Sequence, residues 1–295
     1  MIRHALTVDL EEWFHVMNLR SFFPPSSWEG LERRSIGPTR RILEILEKRG
    51  VKATFFCLGW LAEREPSLVE EIAREGHEIA THGYSHRVLG ELGPEGFREE
   101  LERTARILED IAGRKPDLHR ACSFSVTPST SWALEILAAE GYRGDSSVFP
   151  VPHPDYGWKG FPTLPVEVRT AKGGIVEFPP LTLDVLGRSL PAGGGGYLRL
   201  FPVKFLSFAL GRRAKAGVPG CIYLHPWELD PGQPRPGVRG IKRFRHYVNL
   251  EKTASKLERL LSEHSFTTMG AVLADLEERG LPGLDLPGRP ASPSS

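Results

Sequence analysis

Short apolar runs alternate with stretches of helical period along the first half of the chain. Residues 5–8 (ALTV) read as a strand that ends on the acidic cluster Asp9, Glu11 and Glu12. Residues 38–50 predict a helix, with Ile42, Leu43, Ile45 and Leu46 on one stripe and Gly50 as its stop. The run 51–58 (VKATFFCL) is rich in β-branched and aromatic residues and predicts a buried strand. A second helix carries Pro66 in its first turn and Gly76 at its end. Then come a short strand at 77–80, an amphipathic helix at 94–113, an apolar stretch at 118–122, a helix at 128–141 and a strand at 142–147 with a polar end. This alternation predicts an α/β fold with parallel strands. In such folds, catalytic groups gather just beyond the C-terminal ends of the strands.

The pattern breaks at residues 148–200, which are rich in Pro and Gly and include four consecutive glycines at 193–196. They predict an insertion of loops with a hairpin, capping one face, with an extended run at 174–178. The glycine run reads as a flexible lid or hairpin turn; it is no phosphate loop, because no helix with Lys-Ser/Thr follows. A helix at 201–217, a strand at 220–225 ending on His225, and a helix at 252–261 complete the prediction. Residues 281–295, dominated by Pro, Gly and Ser, are expected to be disordered. No internal repeat is visible.

Composition narrows the partners. With 295 residues, 40% hydrophobic and 25% charged, the chain has the profile of a globular protein with a sizeable core. With a formal net charge of +1, nothing points to nucleic acid or an acidic membrane surface as the main partner, and no nucleic-acid partner is expected. Cys57, Cys122 and Cys221 show no C-x-x-C spacing, which argues against a disulfide scaffold and fits a reducing compartment. No apolar run is long enough to cross a membrane, and the first strand leaves no room for a leader. A cytoplasmic protein is therefore expected, working in part at the inner face of the membrane; its oligomeric state is not legible.

The chemistry lies at the strand ends. His82 and His86 are four residues apart, a spacing that puts both imidazoles on one face of a helical turn and within reach of one metal ion. Two histidines and a carboxylate, with open positions for water, make the pattern of a hydrolytic metal site. Among other polar residues, His77 is expected to make a structural hydrogen bond and His15 is a candidate pocket lining. Asp145 is a candidate to orient Arg120 or a substrate hydroxyl, and His119 is expected to be exposed.

Six ordered motifs resemble the polysaccharide deacetylase family, of the NodB-homology or carbohydrate esterase 4 type. They are TVDLEEWFHV (7–16), ATFFCLGWLAE (53–63), GHEIATHGYSH (76–86), RACSFSVT (120–127), GYRGDSSVFP (141–150) and YLHPWELDPGQPR (223–235). HYVNLEKTASKLERLL (246–261) resembles the C-terminal extension of a subgroup linked to exosortase and exopolysaccharide loci. The resemblance implies a distorted (β/α)7 barrel with a Pro/Gly-rich insertion and a C-terminal helical extension. One domain would span 1–275, including the insertion (148–200) and the extension (about 226–275). It implies metal-dependent removal of N-acetyl groups from an N-acetylated polysaccharide or sugar intermediate, with zinc the expected metal and cobalt or nickel as substitutes.

The resemblance also assigns roles. Asp9 matches the catalytic base, Arg120 the arginine that orients it, and His225 the catalytic acid. His82 and His86 match metal ligands, with Glu11 or Glu12 in place of the usual carboxylate. Side chains alternate along a strand, so Asp9 and Glu11 share a face while Glu12 points away, which favours Glu11. Trp13, Phe124 and Trp227 are candidates to stack on sugar rings. Cys122 stands where the family has proline, and could enter the site as a zinc ligand, an oxidisable thiol or an inert buried residue. Two other readings compete: a same-superfamily hydrolase of a small cyclic amide, and a glycan-binding relative without turnover.

Overall fold

The computed structural model describes residues 2–153, 156–185 and 187–286. The strands are β1 (His4–Leu10), β2 (Thr54–Cys57), β3 (Glu78–Thr81), β4 (Leu118–His119), β5 (Gly144–Asp145), β6 (Val166–Thr170), β7 (Gly173–Glu177), β8 (Thr182–Val185), β9 (Arg188–Pro191), β10 (Cys221–Leu224), β11 (Phe266–Thr267) and β12 (Gly283–Asp285). All but β8 and β9 form one sheet in the order β10-β1-β2-β3-β4-β5-β7-β6-β12, with β11 also paired to β1. Every pairing in it is parallel except the β6–β7 hairpin. The mixed α/β class and the mostly parallel sheet agree with expectation. Among the described residues, however, the hydrogen-bonded ladder does not close into a full ring.

All seven residues of β1 are buried, as befits a parallel strand covered on both faces. Leu6, Val8 and Leu10 pack with Ile42, Leu43, Ile45 and Leu46 of helix Ile36–Arg49, the stripe read from the sequence. Each such fully buried side chain contributes about 1.5–3 kcal/mol. Gly50 ends that helix at φ 62°, where a β-carbon would be strained.

Several expectations are corrected. The helix with Pro66 in its first turn forms as expected, over Pro66–Arg74, but a separate short helix, Gly59–Arg64, precedes it. The helix expected at 94–113 begins at Leu89, with a break at Gly93 (φ 67°) ahead of Pro94. The extended run expected at 174–178 is strand β7, in a hairpin with β6, but it joins the main sheet beside β5 and is not an appended cap. The glycine run is not a free lid either. Gly193 O accepts from Tyr223 N (2.7 Å) and Gly195 N donates to Tyr223 O (3.1 Å), so the segment lies along β10. A β-carbon on Gly194 would sit 1.7 Å from Tyr223 O, so only glycine permits this approach. Residues 281–286 are ordered through β12, which pairs with β6, contrary to the disorder expected from 281 onward; 287–295 lie outside the described residues. Helices Gly240–Tyr247 and Met269–Arg279 were not anticipated.

Burial pushes His4 and His77 down to about 4, with positive charge nearby adding to the effect. The unfolded chain, with histidine near 6.5, then binds more protons than the folded chain between about pH 6.5 and 4. The contribution of these neutral histidines is therefore complete above that window and declines as pH falls through it. The thermal midpoint is expected to drop by at least ~2 °C from pH 7 to pH 5, less steeply in His77→Asn. A flat midpoint over that range would contradict the assignment.

Candidate active site

Thr7, Asp9 and Glu11 alternate with Leu6, Val8 and Leu10, and so share the face of β1 opposite the helix-covered one. Arg120, just after β4, reaches that face fully buried. Its Nη1 donates to Asp9 Oδ1 (2.6 Å) and Thr7 Oγ1 (2.8 Å). Nε and Nη2 donate to Ser146 O (3.1 Å) and Ser146 Oγ (2.8 Å) beyond β5. A buried guanidinium with its donors matched holds the Asp9 carboxylate in one orientation.

His82 and His86 follow β3, but not on a helical turn: the segment is a loop, with Gly83 at φ 70° and His86 itself at φ 51°. The two rings are brought together by the loop's path, not by helical spacing. His82 Nδ1 is 2.8 Å from Arg120 O, which as an acceptor selects the Nδ1–H tautomer and leaves the Nε2 lone pair free. Burial pushes His82 down to about 4, so the ring is neutral at pH 7. Glu11 Oε2 lies 2.6 Å from His86 Nε2, yet neither that oxygen nor His86 Nδ1 has a well-aligned hydrogen-bond partner. Burial opposes ionisation of Glu11, but His86, then His225 and His82, hold its carboxyl below the usual carboxylate range. Among the described residues, the one set of three potential metal donors within 4.8 Å of one another is His82, His86 and Cys122. Glu11 contacts His86 but does not complete such a set. The Cys122 thiol donates to His82 O (3.0 Å), and burial, reinforced by nearby carboxylates, pushes it well up.

His225 directly follows β10 and faces Asp9, its Nε2 3.8 Å from both Asp9 Oδ2 and Glu11 Oε1. Its Nδ1 is 2.7 Å from Glu228 Oε1, and Glu228 Oε2 accepts from Arg199 Nε (2.6 Å). Burial works against the charged ring, but the Glu228 hydrogen bond and then the charges of Glu11, Glu228 and Asp9 raise His225 to about 9. Glu228 and Arg199 went unread in the sequence. One signal was present: His225-Pro226-Trp227-Glu228 has the three-residue spacing of a capping box, and the Glu228 carboxylate accepts from the His225 backbone N–H (3.1 Å).

The remaining candidates separate. Glu12 accepts from the backbone N–H groups of Arg34 and Ser35 (3.0 Å each) and takes no part in the site. Asp145 does not touch Arg120; it binds His119 Nδ1 (2.8 Å) and Ser147 Oγ (2.7 Å). His119, expected at the surface, is fully buried. Trp13 is core, packed on Phe14 and Phe23. Phe124 packs on Phe149 and Tyr223. Trp227 is sandwiched between His225 and His246, and its Nε1 donates to Glu11 Oε1 (3.0 Å), so it orients a carboxylate and has no free face for a sugar. His15 stacks on His86 at 6.0 Å, with Trp28 and Trp60 around it. His77 accepts from Ala53 N–H (3.1 Å), a structural bond. The three cysteines are buried and free.

Comparison with known proteins adds a family pattern. Residues 36–143 match the polysaccharide deacetylase family, and residues 146–274 match a domain of unknown function, DUF3473. A peptidoglycan-N-acetylglucosamine deacetylase of Bacillus cereus is 43% identical over 82 residues, 28% of this chain and 30% of that protein. A chitin deacetylase of Pestalotiopsis is 34% identical over 108 residues, 36% of this chain and 35% of that protein. The chain thus spans about a third of the length of these curated relatives. A solved Mycobacterium smegmatis structure assigned to the polysaccharide deacetylases superposes with a TM-score of 0.64 at 20% identity, over 98% of this chain and 96% of that one. That last likeness is one of fold.

Proposed function

We propose, for a chain that belongs to the polysaccharide deacetylase family of the carbohydrate esterase 4 type, a metal-dependent hydrolase that removes N-acetyl groups from an N-acetylated glycan. The substrate is a polysaccharide or sugar intermediate of exopolysaccharide assembly, met in the cytoplasm or at the inner face of the membrane. No helix among the described residues is long and apolar enough to cross a membrane. One domain over residues 1–275 carries the activity; in support, both family matches contribute strands to a single sheet, β2 to β4 from one and β6, β7 and β10 from the other.

The observation that carries this reading is the convergence of Asp9, His225, His82 and His86 from three strand ends into one cluster around Glu11. Amide hydrolysis needs a proton taken from water and a proton given to the departing amine. Asp9, held by Arg120, takes the first; His225, across from it, gives the second. The donors fit a divalent ion: His82 presents a free Nε2 lone pair, and Glu11 Oε2 meets His86 Nε2 with no aligned proton between them. His82 and His86 would hold the ion, with Glu11 as carboxylate donor and Cys122 as the thiol within reach; imidazole with carboxylate or thiolate suits zinc. Bound there, it supplies Lewis acidity toward the amide carbonyl and toward water.

Depth favours one second reading, a small cyclic amide as substrate: Asp9, Glu11, His82 and His86 retain 2%, 2%, 2% and 6% of their surface. Acetate release from N-acetylglucosamine oligomers, with chelator and with added zinc, cobalt or nickel, tests the proposal. Metal-dependent release is the expected result. Stoichiometric metal without acetate would turn the assignment toward the cyclic amide.

A further inference from the structure

We infer that Arg199 and Glu228 are positioning residues for His225, so that the region matching a domain of unknown function completes the deacetylase site. The inference rests on the reading of His225 as proton donor to the leaving amine. Arg199 and Glu228 are 2% and 0% exposed, an ion pair sealed from water. Such a pair is costly to bury and is worth little as a stabilising device by itself. What it does here is directional. Arginine stays charged, so the carboxylate beside it stays ionised and can only accept. Glu228 Oε1 then takes the proton of His225 Nδ1 (2.7 Å) and the His225 backbone N–H (3.1 Å), which fixes both the tautomer and the ring plane. Nε2 is thereby the nitrogen turned toward Asp9 and Glu11.

The chain builds this arrangement from distant parts. The glycine run docks on β10 beside Tyr223 and starts the short helix Gly196–Leu200 that carries Arg199. Arg199 Nη1 donates to His246 O (2.6 Å), tying in the C-terminal extension. Lys256 Nζ donates to the carbonyls of Leu198, Arg199 and Phe201 (3.0, 2.6 and 2.8 Å), and Asn249 Nδ2 to Arg199 O (3.1 Å), closing the helix from the other side. Insertion and extension thus meet at one guanidinium, whose carboxylate partner holds His225.

The test compares Arg199→Ala and Glu228→Gln with the wild type on two substrates: N-acetylglucosamine oligomers and 4-nitrophenyl acetate. An amide needs its leaving amine protonated; a nitrophenolate leaves without help. Both variants are expected to lose about 10²–10³-fold in kcat on the oligomer with KM little changed, within the range of general acid catalysis. Hydrolysis of the aryl ester should stay within about threefold, because Asp9 and the metal donors are untouched. Guanidinium ion should restore part of the Arg199→Ala loss. Parallel loss on both substrates, or an unimpaired Arg199→Ala, would overturn the inference. A second measurement needs neither turnover nor the variants' activity: a low-field, slowly exchanging Nδ1 proton of His225 in ¹⁵N-histidine-labelled protein, assigned with His225→Gln. Its presence in the wild type and loss in Glu228→Gln supports the pair; its absence in a folded wild type overturns it. If that proton is present but the wild type releases no acetate, the deacetylase reading fails and the positioning pair stands.

Discussion

Asp9→Asn is expected to lower acetate release by about 10²–10⁴-fold while the protein still binds its metal. The amide is nearly isosteric and keeps an oxygen for the 2.6 Å Arg120 Nη1 bond, so the buried guanidinium is not left without an acceptor there. Alanine would be a poorer choice: breaking a buried pair by removing one partner costs about 3–5 kcal/mol and would mix folding with chemistry. What asparagine cannot do is take a proton at neutral pH. The kcat on N-acetylglucosamine oligomers, beside the zinc content of the same preparation, separates the two effects. Turnover within tenfold of wild type, with zinc retained, would move the base to another carboxylate, Glu11 being the nearest on the same face of β1.

The second large effect is metal loss. His82→Ala and His86→Ala should each fail to retain stoichiometric zinc through dialysis, and acetate release should vanish with it. His82 has a double role: besides its free Nε2, its Nδ1 bond to Arg120 O joins the histidine loop to the segment that presents Arg120. His82→Ala should therefore also lower the thermal midpoint more than His86→Ala does. Metal-stripped variants that still hydrolyse the oligomer would remove the metal from the reaction. The same preparations decide the third donor. Cobalt in the wild type should show a near-ultraviolet thiolate charge-transfer band, absent in Cys122→Ser, if Cys122 ligates. Without the band, Glu11 is the donor and Cys122 serves as the thiol that donates to His82 O.

Much of this protein was legible because its signals are local. Parallel strands covered on both faces need contiguous apolar residues, so β1, β2 and β10 stand out as runs. The helix Ile36–Arg49 shows its stripe for the same reason. Where expectation failed, the deciding contact was remote in sequence. Residues 173–177 resemble any short extended run until β5 is seen to offer them an edge. The glycines at 193–196 resemble a flexible turn until the carbonyl of Tyr223 fills the space a side chain would need. Residues 281–286 have the composition of a tail, yet β6 supplies hydrogen bonds that hold Gly283–Asp285 in the sheet.

The same division runs through the candidate site. The residue types and their placement at strand ends are legible locally: Asp9 near the end of β1 and Glu11 just after it, His82 and His86 after β3, Arg120 after β4, His225 after β10. Strand alternation also separated Glu11 from Glu12 correctly, because a period of two needs no tertiary information. Only the tertiary structure decided how these groups are held. It put His86 in a left-handed loop position rather than on a helix, turned Trp227 onto Glu11, gave Asp145 to His119, and brought Cys122 to the two histidines. It also paired Arg199 with Glu228, 29 positions apart, where both are fully buried. The physical reason is that a strand's direction is written in a few neighbouring side chains. The partner of a buried charge is set by which segments the whole sheet brings together, and no local pattern of residues encodes that.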